Sequence, residues 1–409
     1  RLSEEVRAGT LSEAEFLQSE SSMIRSRGHC NTMGTASTMG LLAEALGMVL
    51  PGLAGTPAAD SRLLEGAHNT GRLAVEMVAA GRTPSTLLTR GSFLNAIVAL
   101  AAIGGSTNAV VHLLAVAGRL GVALTQDDFD TTGAQVPLLV DLQPAGRFLM
   151  EDFFRAGGLH AVLSEVQDLL DPAALTVTGR PLVDYLADAR VWDPEVIRPR
   201  AQPMQAHAGI AVLHGNLAPD GAVIKPAAAS PHLLQHRGRA LVFDSIEDMH
   251  ARIDDPDLDV DADSVLIMRG CGPKGYPGMP EVANIPLPAK LLRQGVREMV
   301  RVCDGRMSGT AYGTVILHVS PEAAAGGPLG LVRTGDVVIL DVDARRLDID
   351  ISPDELSSRS PDTATVSAYA QPLRGWERLY VETVQQANTG ADLDFLLGST
   401  GSAVSRESH

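Results

Sequence analysis

The sequence predicts an α/β protein made of a helix-rich first part and a β-rich second part. In the first part, apolar side chains recur at helical spacing, as they do between Met39 and Val49. In the second part, short runs of β-branched residues alternate with turn residues. A linker with three prolines separates the two patterns, at Pro194, Pro199 and Pro203. We therefore predict two domains, 1–195 and 196–409.

The first part contains several predicted helices, and glycine or proline marks the ends of some of them. They cover 12–20, 35–50, 61–80, 92–103, 107–120 and 147–170. The apolar stretch 96–122 has the length of a membrane span, but the turn Gly104–Asn108 interrupts it. We therefore predict two buried helices joined by a turn, and we expect no membrane contact.

The second part contains short predicted strands with helical pieces between them. The strands cover 210–213, 240–243, 265–268, 299–302 and 315–319. Two further runs, 337–342 and 347–351, alternate apolar and polar residues on either side of four turn residues. That pattern is typical of a β-hairpin. The second part is therefore predicted to form a barrel-like sheet.

Charge and cysteine content restrict the class of function. The 409 residues include 33 Lys plus Arg and 49 Asp plus Glu, which gives a net charge of −16 without a basic run. We expect no nucleic-acid partner, because phosphate binding needs clustered cations. Three cysteines far apart in the chain form neither a disulfide framework nor a CxxC pair. This favours a reducing, cytoplasmic location.

A first candidate site surrounds Cys30, which lies in a loop directly before a predicted helix. Unpaired backbone N–H groups at a helix start favour a thiolate or an anionic cluster. The small residues from Gly34 to Thr38 allow a bulky group to approach the backbone. A buried structural thiol is the alternative, and the residues alone leave both interpretations open.

A second candidate site is the loop 270–281, which is rich in glycine and proline and follows the predicted strand 265–268. Stiff loops at the carboxyl ends of strands suit ligand sites. Glu281 offers a hard oxygen ligand for Mg²⁺, and Lys274 offers a cation for a substrate carboxylate. The alternative is that both side chains are simply solvated.

A third candidate site is the loop 304–313, where Ser308 follows a predicted strand. We expect a strand-to-helix turn there, which would expose the hydroxyl for activation. Gly-x-Ser-x-Gly is absent, and no His or Asp partner can be assigned, so a serine hydrolase is only an alternative. An ordinary turn serine is another. The turn Gly104–Asn108 either receives an anion at a helix start or simply joins two helices.

Taken together, these segments resemble the family of dihydroxy-acid and sugar-acid dehydratases, which includes phosphogluconate dehydratase. The motifs that carry the resemblance span nearly all of the chain: Cys30–Met39, Gly104–Asn108, Arg147–Asp152, Gly215–Gly221, Gly278–Glu281 and Asp304–Gly309. Further segments resemble the aldonate branch of the family: Ser308–Gly313, Leu379–Phe395 and Arg406–His409.

The resemblance implies a two-domain α/β enzyme. The first domain would be the helix-rich remainder of a cluster-binding domain, and the second would be similar to the mobile, barrel-like domain of aconitase. The implied cofactors are an iron–sulfur cluster, [2Fe–2S] rather than [4Fe–4S], and Mg²⁺. Cys30 matches the last of three cluster cysteines, Glu281 a Mg²⁺ ligand and Ser308 a serine that acts as an alkoxide base. Substrate contacts are expected from three further residues: His29, Lys274 and Thr310.

The activity implied by the resemblance is that of a hydro-lyase. It removes water from a 2,3-dihydroxy acid, here a sugar acid (aldonate), and yields a 2-keto-3-deoxy acid. The alternative within the family is the dihydroxy-acid dehydratase of branched-chain amino-acid biosynthesis. We also expect the small-molecule acid to be bound by a homodimer or homotetramer.

One departure from the family pattern concerns the amino-terminal segment. The family's first two cluster cysteines and an Asp-Lys element lie upstream of the residues present here, and Cys271 and Cys303 do not match them. We therefore expect that the 409-residue chain lacks that segment, holds no cluster and is inactive by itself. A chain that serves only in assembly is the second alternative to a sugar-acid dehydratase.

Overall fold

A computed structural model describes residues 2–23, 27–360 and 374–398. In the first part, the described residues form helices joined by turns. These are α1 (Leu2–Ala8), α2 (Glu13–Met23), α3 (Thr35–Ala45), α4 (Ser61–Ala79), α5 (Pro84–Leu87), α6 (Arg90–Ala102), α7 (Asn108–Leu120), α8 (Gln126–Gly133), α9 (Met150–Arg155) and α10 (Gly158–Glu165). Most side chains of α6 and α7 are buried, so these two helices lie in the interior.

The turn between α6 and α7 is held against α3. The backbone N–H of Ser106 donates to Thr38 Oγ1 at 3.1 Å. A Cβ at Gly105 would lie 2.7 Å from the Thr38 side chain, so a residue larger than glycine would push α3 away. At its other end, α7 stops at Gly121, whose φ of +67° is left-handed and favours glycine. The start of α7 is therefore fixed beside the start of α3.

The second part contains most of the strands. Its elements are β1 (Ala211–Leu213), β2 (Ala222–Ile224), β3 (Gln235–Phe243), α11 (Ile246–Arg252), β4 (Val265–Met268), α12 (Ala289–Arg293), β5 (Arg301–Cys303), β6 (Val315–Ile316), β7 (Val337–Asp341), β8 (Arg346–Ile349), α13 (Pro353–Ser358) and α14 (Gly375–Thr383). Six strands form a sheet in the order β6-β5-β4-β3-β7-β8. The pairs from β3 to β6 are parallel, and β7 pairs antiparallel with β3 and β8.

The six-stranded sheet curls because the antiparallel hairpin β1–β2 bridges its two edges. On one side, Val223 and Leu317 exchange two backbone hydrogen bonds of 2.9 Å, which join β2 to the end of β6. On the other side, His214 bridges to Arg346 and accepts a 2.9 Å hydrogen bond from Leu347 N, which joins β1 to β8. Each edge of the sheet is therefore paired over part of its length.

Successive residues of the parallel strands point into two different cores, as the two-residue period of a strand requires. Val242, Ile267 and Val302 lie in a core enclosed by the curled sheet and the hairpin. Phe243 and Leu266, which alternate with them, lie in a second core that also contains Phe93 and Phe153 of the helical part. This second core, called the shared core below, is continuous across the predicted boundary at residue 195.

The mixed α/β class, the curled sheet, the helices around 104–108 and the predicted hairpin are all confirmed. The predicted strand 315–319 is too long, because His318 has a left-handed φ of +56° that ends β6. The domain boundary and the similarity to the aconitase domain stay predictions. In the described residues, every helix is too short or too polar to cross a lipid bilayer. The segment Arg406–His409 lies outside the described residues.

Candidate functional site

The Cys30 loop precedes α3, as the sequence predicts, and its thiol is exposed. Cys30 Sγ lies 3.1 Å from Thr32 Oγ1, and the exposed ring of His29 contacts the Cys30 carbonyl through Nδ1 at 2.9 Å. Asn31 anchors the loop to α9, since its carbonyl accepts from Met150 N at 2.9 Å. The loop therefore presents a thiol at the surface rather than burying a structural one.

Glu281 meets residues of the helical part across the junction of the two parts. Its Oε1 accepts a 2.5 Å hydrogen bond from Asn108 Nδ2, at the start of α7. Thr35 Oγ1, at the start of α3, lies 3.5 Å from the same oxygen. The Asn108 amide also donates to the Met307 carbonyl at 3.0 Å. One buried amide thus holds both the Glu281 carboxylate and the backbone next to Ser308.

Ser308 lies in the loop that joins β5 to β6, with its side chain half-buried. The predicted strand-to-helix turn is wrong, because β6 follows this loop and no helix lies between the two strands. Ser308 Oγ lies 2.9 Å from Thr310 Oγ1 and accepts from Thr310 N at 3.3 Å. The serine hydroxyl is therefore in contact with two groups that can donate a hydrogen bond to it.

The Ser308 loop packs directly on the start of α3. A Cβ added at Gly309 would lie only 2.5 Å from Thr35 N, so only glycine fits at this contact. A Cβ added at Gly34 would lie 3.2 Å from Thr310 Cγ2. The structure therefore brings the loops of Glu281 and Ser308 together at the start of α3, the helix that follows the Cys30 loop.

Lys274 lies at the other end of the 270–281 loop, where a buried carboxylate organises the backbone. Both oxygens of Glu322 accept from Lys274 N, at 2.9 and 3.0 Å, and Oε2 also accepts from Gly275 N at 2.9 Å. Burial raises the pKa of Glu322 to about 7, with a further contribution from the nearby charge of Asp304. The Lys274 side chain is half-buried.

Cys271 and Cys303 form a separate buried group with Asp304. Their sulfur atoms and an Asp304 oxygen lie within 4.8 Å of one another. Burial, followed by the neighbouring thiol of Cys271, raises the pKa of Cys303 well above its usual value. Burial also raises the pKa of Asp304, although it accepts from three backbone N–H groups. These two cysteines therefore do not share a site with the exposed Cys30.

Two residues of this region are not among the individual site residues that the sequence suggests. Asn108 is the more important; it ends the Gly104–Asn108 turn, for which the sequence left an anion site and a simple helix connection open. Glu322 gave no signal, because its role depends on burial and on contacts with a loop 47 and 48 residues away.

Comparison with known proteins identifies both parts of the chain. Residues 1–185 match the family model for the amino-terminal domain of dihydroxy-acid/6-phosphogluconate dehydratases, and residues 195–391 match the model for the carboxy-terminal domain. Together the two models cover most of the chain. The motifs that surround Cys30, Glu281 and Ser308 all lie inside the matched ranges.

Individual relatives agree with the family models. The chain is 54% identical over 416 residues to the L-arabonate dehydratase of Azospirillum brasilense, and 53% identical over 411 residues to the L-arabinonate dehydratase of Rhizobium leguminosarum bv. trifolii. Both alignments cover 100% of this chain and 71% of the relative. A dihydroxy-acid dehydratase of Ignicoccus hospitalis is 40% identical over 385 residues, covering 93% of this chain and 68% of the relative. The chain therefore belongs to the dihydroxy-acid/6-phosphogluconate dehydratase family.

Proposed function

We propose that this protein is a hydro-lyase that removes water from a sugar acid of the aldonate type and yields a 2-keto-3-deoxy acid. The observation that carries the proposal is the cluster in which Asn108 holds both Glu281 and the backbone beside Ser308. This cluster combines a carboxylate that can bind a cation with a serine oxygen that, once its own proton has passed to solvent, can accept a proton as the alkoxide. Both are needed to remove a proton next to a carboxylate group.

Glu281 suits a Mg²⁺ ion. Its Oε1 is held by Asn108 and Thr35, whereas its Oε2 has no hydrogen bond within the described part of the chain. A carboxylate that is oriented through one oxygen leaves the other available to a hard cation. When bound, Mg²⁺ would stabilise the negative charge that develops on the substrate after loss of the C2 proton.

Cys30 would hold an iron–sulfur cluster by one thiolate. Its sulfur is exposed, and in the described part of the chain its hydrogen-bond contact is Thr32 Oγ1, so it is accessible to iron. Cys271 and Cys303 are buried with Asp304, so they do not complete a three-cysteine set with Cys30. This chain thus fits one corner of a cluster, for which we propose the [2Fe–2S] type. The bound cluster would act as a Lewis acid on the leaving C3 hydroxyl.

Ser308 would take the proton from C2 of the substrate. Its alkoxide would be stabilised by Thr310, whose backbone N–H and hydroxyl both contact Ser308 Oγ. Hydrogen bonds to the charged form of a group lower its pKa. We further propose that Lys274 contacts the substrate carboxylate, because a positive side chain would offset the acidic field of a chain with net charge −16. Thr310, which lies beside Ser308, and His29, which lies beside Cys30, are proposed as further substrate contacts.

The sugar-acid branch is favoured over the branched-chain enzyme. Identity to the two arabonate dehydratases exceeds identity to the dihydroxy-acid dehydratase by 13 and 14 percentage points, from 53% and 54% against 40%. We accordingly propose L-arabonate as the first substrate to test. A cytoplasmic homodimer or homotetramer is proposed on the same family grounds.

The test is a dehydration assay of protein expressed from the complete gene and reconstituted with iron, sulfide and Mg²⁺, because Cys30 supplies one cluster thiolate among the described residues. Formation of a 2-keto-3-deoxy product from L-arabonate would be followed by NMR, with 2,3-dihydroxyisovalerate as the competing substrate. We expect turnover of the sugar acid, its loss after EDTA treatment, and bound iron with acid-labile sulfide. Turnover of 2,3-dihydroxyisovalerate alone would assign the protein to the branched-chain branch instead. If protein that has incorporated the cluster turns over neither acid, the proposed activity is rejected.

A further inference from the structure

The backbone immediately before Glu281 adopts an unusual conformation. Gly278 and Met279 have φ angles of +89° and +45°. The left-handed region is open to glycine but strained for methionine, whose Cβ approaches the following carbonyl oxygen. Such a conformation persists only where surrounding contacts hold it. Something must therefore fix the turn that aims Glu281.

Two side chains hold this turn from opposite directions. Arg306 donates from Nε to the Met279 carbonyl at 2.6 Å and from a terminal nitrogen to the Gly278 carbonyl at 3.4 Å. The hydroxyl oxygen of Tyr380, in α14, accepts from Gly278 N at 3.1 Å. Gly278 is thus held at its carbonyl oxygen by Arg306 and at its N–H by Tyr380.

Arg306 also belongs to the Ser308 loop, two residues before the serine. The Arg306 carbonyl accepts from Ala283 N at 2.8 Å, so the segments on either side of Glu281 are both bonded to this arginine. Met279 packs with Val111 of α7, one turn after Asn108. Arg306 therefore connects the loop of the proposed metal ligand with the loop of the proposed base.

The neighbours of Arg306 leave its charge unpaired. In the described part of the chain it donates to carbonyl oxygens and to no carboxylate. Two imidazoles lie near it, and both ring nitrogens of the buried His318 have no hydrogen-bond partner among the described residues. Burial and then the charge of Arg306 lower the pKa of His318 to about 3, and the same two causes lower the pKa of His112. Both imidazole rings therefore stay neutral near neutral pH. Unlike carboxylates, they form no ion pair with Arg306 that would compete with its hydrogen bonds to the turn carbonyls.

We propose that Arg306 and Tyr380 are positioning residues that clamp the Gly278–Met279 turn and so fix Glu281 relative to Ser308. This inference rests on the proposed function for its catalytic meaning, but the clamp itself is a statement about backbone geometry. The fork of a guanidinium can contact two carbonyls at once, which an ammonium on a flexible stem does much less well. Arg306→Lys should therefore fail to replace the arginine even though it keeps the charge.

The clamp is tested by hydrogen exchange of the peptide that contains residues 276–281, in Arg306→Lys and Tyr380→Phe. Loss of either contact should speed exchange there by about tenfold or more, because local opening becomes easier. The matched control is Arg297→Lys, since among the residues that the structure describes Arg297 also donates only to carbonyls, those of Leu292 and Val296. It should leave the 276–281 peptide unchanged.

Activity provides the second readout. Both clamp variants should raise the Mg²⁺ concentration needed for half-maximal turnover, and kcat should fall by up to about 10²-fold through misplacement of Glu281. Wild-type exchange rates in both variants would overturn the clamp whether or not the protein dehydrates sugar acids. Faster exchange in a protein without dehydratase activity would keep the clamp and reject only the proposed function. If Arg306→Lys does not fold, the Tyr380→Phe exchange rate decides.

Discussion

Asn108 Nδ2 lies 2.5 Å from Glu281 Oε1, although 173 residues separate them in the chain. The same amide nitrogen lies 2.9 Å from Thr35 Oγ1 and 3.0 Å from the Met307 carbonyl, so its two hydrogens are shared among three acceptors. Asn108 is completely buried. This one side chain therefore joins the starts of two helices to both loops that leave the curled sheet.

Replacement of this amide should damage the site more than the fold. Asn108→Ala should lower the free energy of unfolding by about 1–3 kcal/mol, because it leaves the Met307 carbonyl buried without this donor. It should also lower kcat, since Glu281 loses its main orienting contact. Asn95→Ala is the control, because Asn95 is equally buried and bonds only to Asp171 in the described structure. Equal losses of specific activity in the two folded variants would contradict a special role for Asn108.

Ser308→Ala should keep the fold and the cofactor content but lose most dehydration. Removal of a general base typically lowers the rate by about 10²- to 10⁴-fold. Single-turnover kinetics with L-arabonate would measure the loss. Ser164→Ala, in α10, removes a hydroxyl that bonds only to the Ala161 carbonyl within the described ranges and should have no such effect. Near-normal turnover by Ser308→Ala would remove this serine from the mechanism. Labelling of Ser308 in the unsubstituted protein by a phosphonate probe would instead favour a serine hydrolase.

Gly309→Ala should detach the Ser308 loop from α3. The added methyl would lie 2.5 Å from Thr35 N and 2.9 Å from Ser106 Oγ, so the loop must move. Overpacking of this kind lowers stability by about 1–3 kcal/mol, and we expect a larger relative loss of kcat. Gly40→Ala, inside α3 with open space around its Cβ, should be stabilising by about 0.5–1 kcal/mol. Thermal unfolding and turnover of the two variants would decide, and an active Gly309→Ala would disprove the close contact.

Glu322 should make stability fall as the pH rises. Its pKa of 4.5 in the unfolded chain rises to about 7 in the folded protein, mainly through burial. Between these values the folded state holds a proton that the unfolded state has lost, so the free energy of unfolding decreases from about pH 4.5 to 7. The contribution is on the order of 3 kcal/mol. Glu322→Gln should flatten this part of the urea-unfolding profile, and an unchanged slope would show that Glu322 is already ionised.

The sequence predicts local features of this protein well. The hairpin β7–β8 and the helices α6 and α7 follow from periodicity and turn residues over short segments. The loops of Cys30, Glu281 and Ser308 are visible because glycine and other small residues concentrate there, with proline added in the loop 270–281. Each of these signals lies within about a dozen consecutive residues.

Contacts between distant residues could not be predicted in the same way. The hairpin β1–β2 has three residues in each strand, and its pairing with the ends of β6 and β8 depends on residues 94 and 132 positions away. The helix expected after Ser308 is absent because the loop runs directly into β6, which pairs with β5. The two carbonyl contacts of Arg306 likewise cannot be read from sequence, since nothing local distinguishes this arginine from others.

The shared core limits how substrate can enter. Phe93 and Phe153 of the helical part are completely buried in the same core as Phe243 and Leu266 of the sheet. A hinge that swung the two parts apart would bring these side chains into water, at about 25 cal/mol for each Å² of apolar surface exposed. The two parts should consequently unfold in one cooperative transition. Substrate access would then require movement of the loops around Glu281 and Ser308 rather than separation of the two parts.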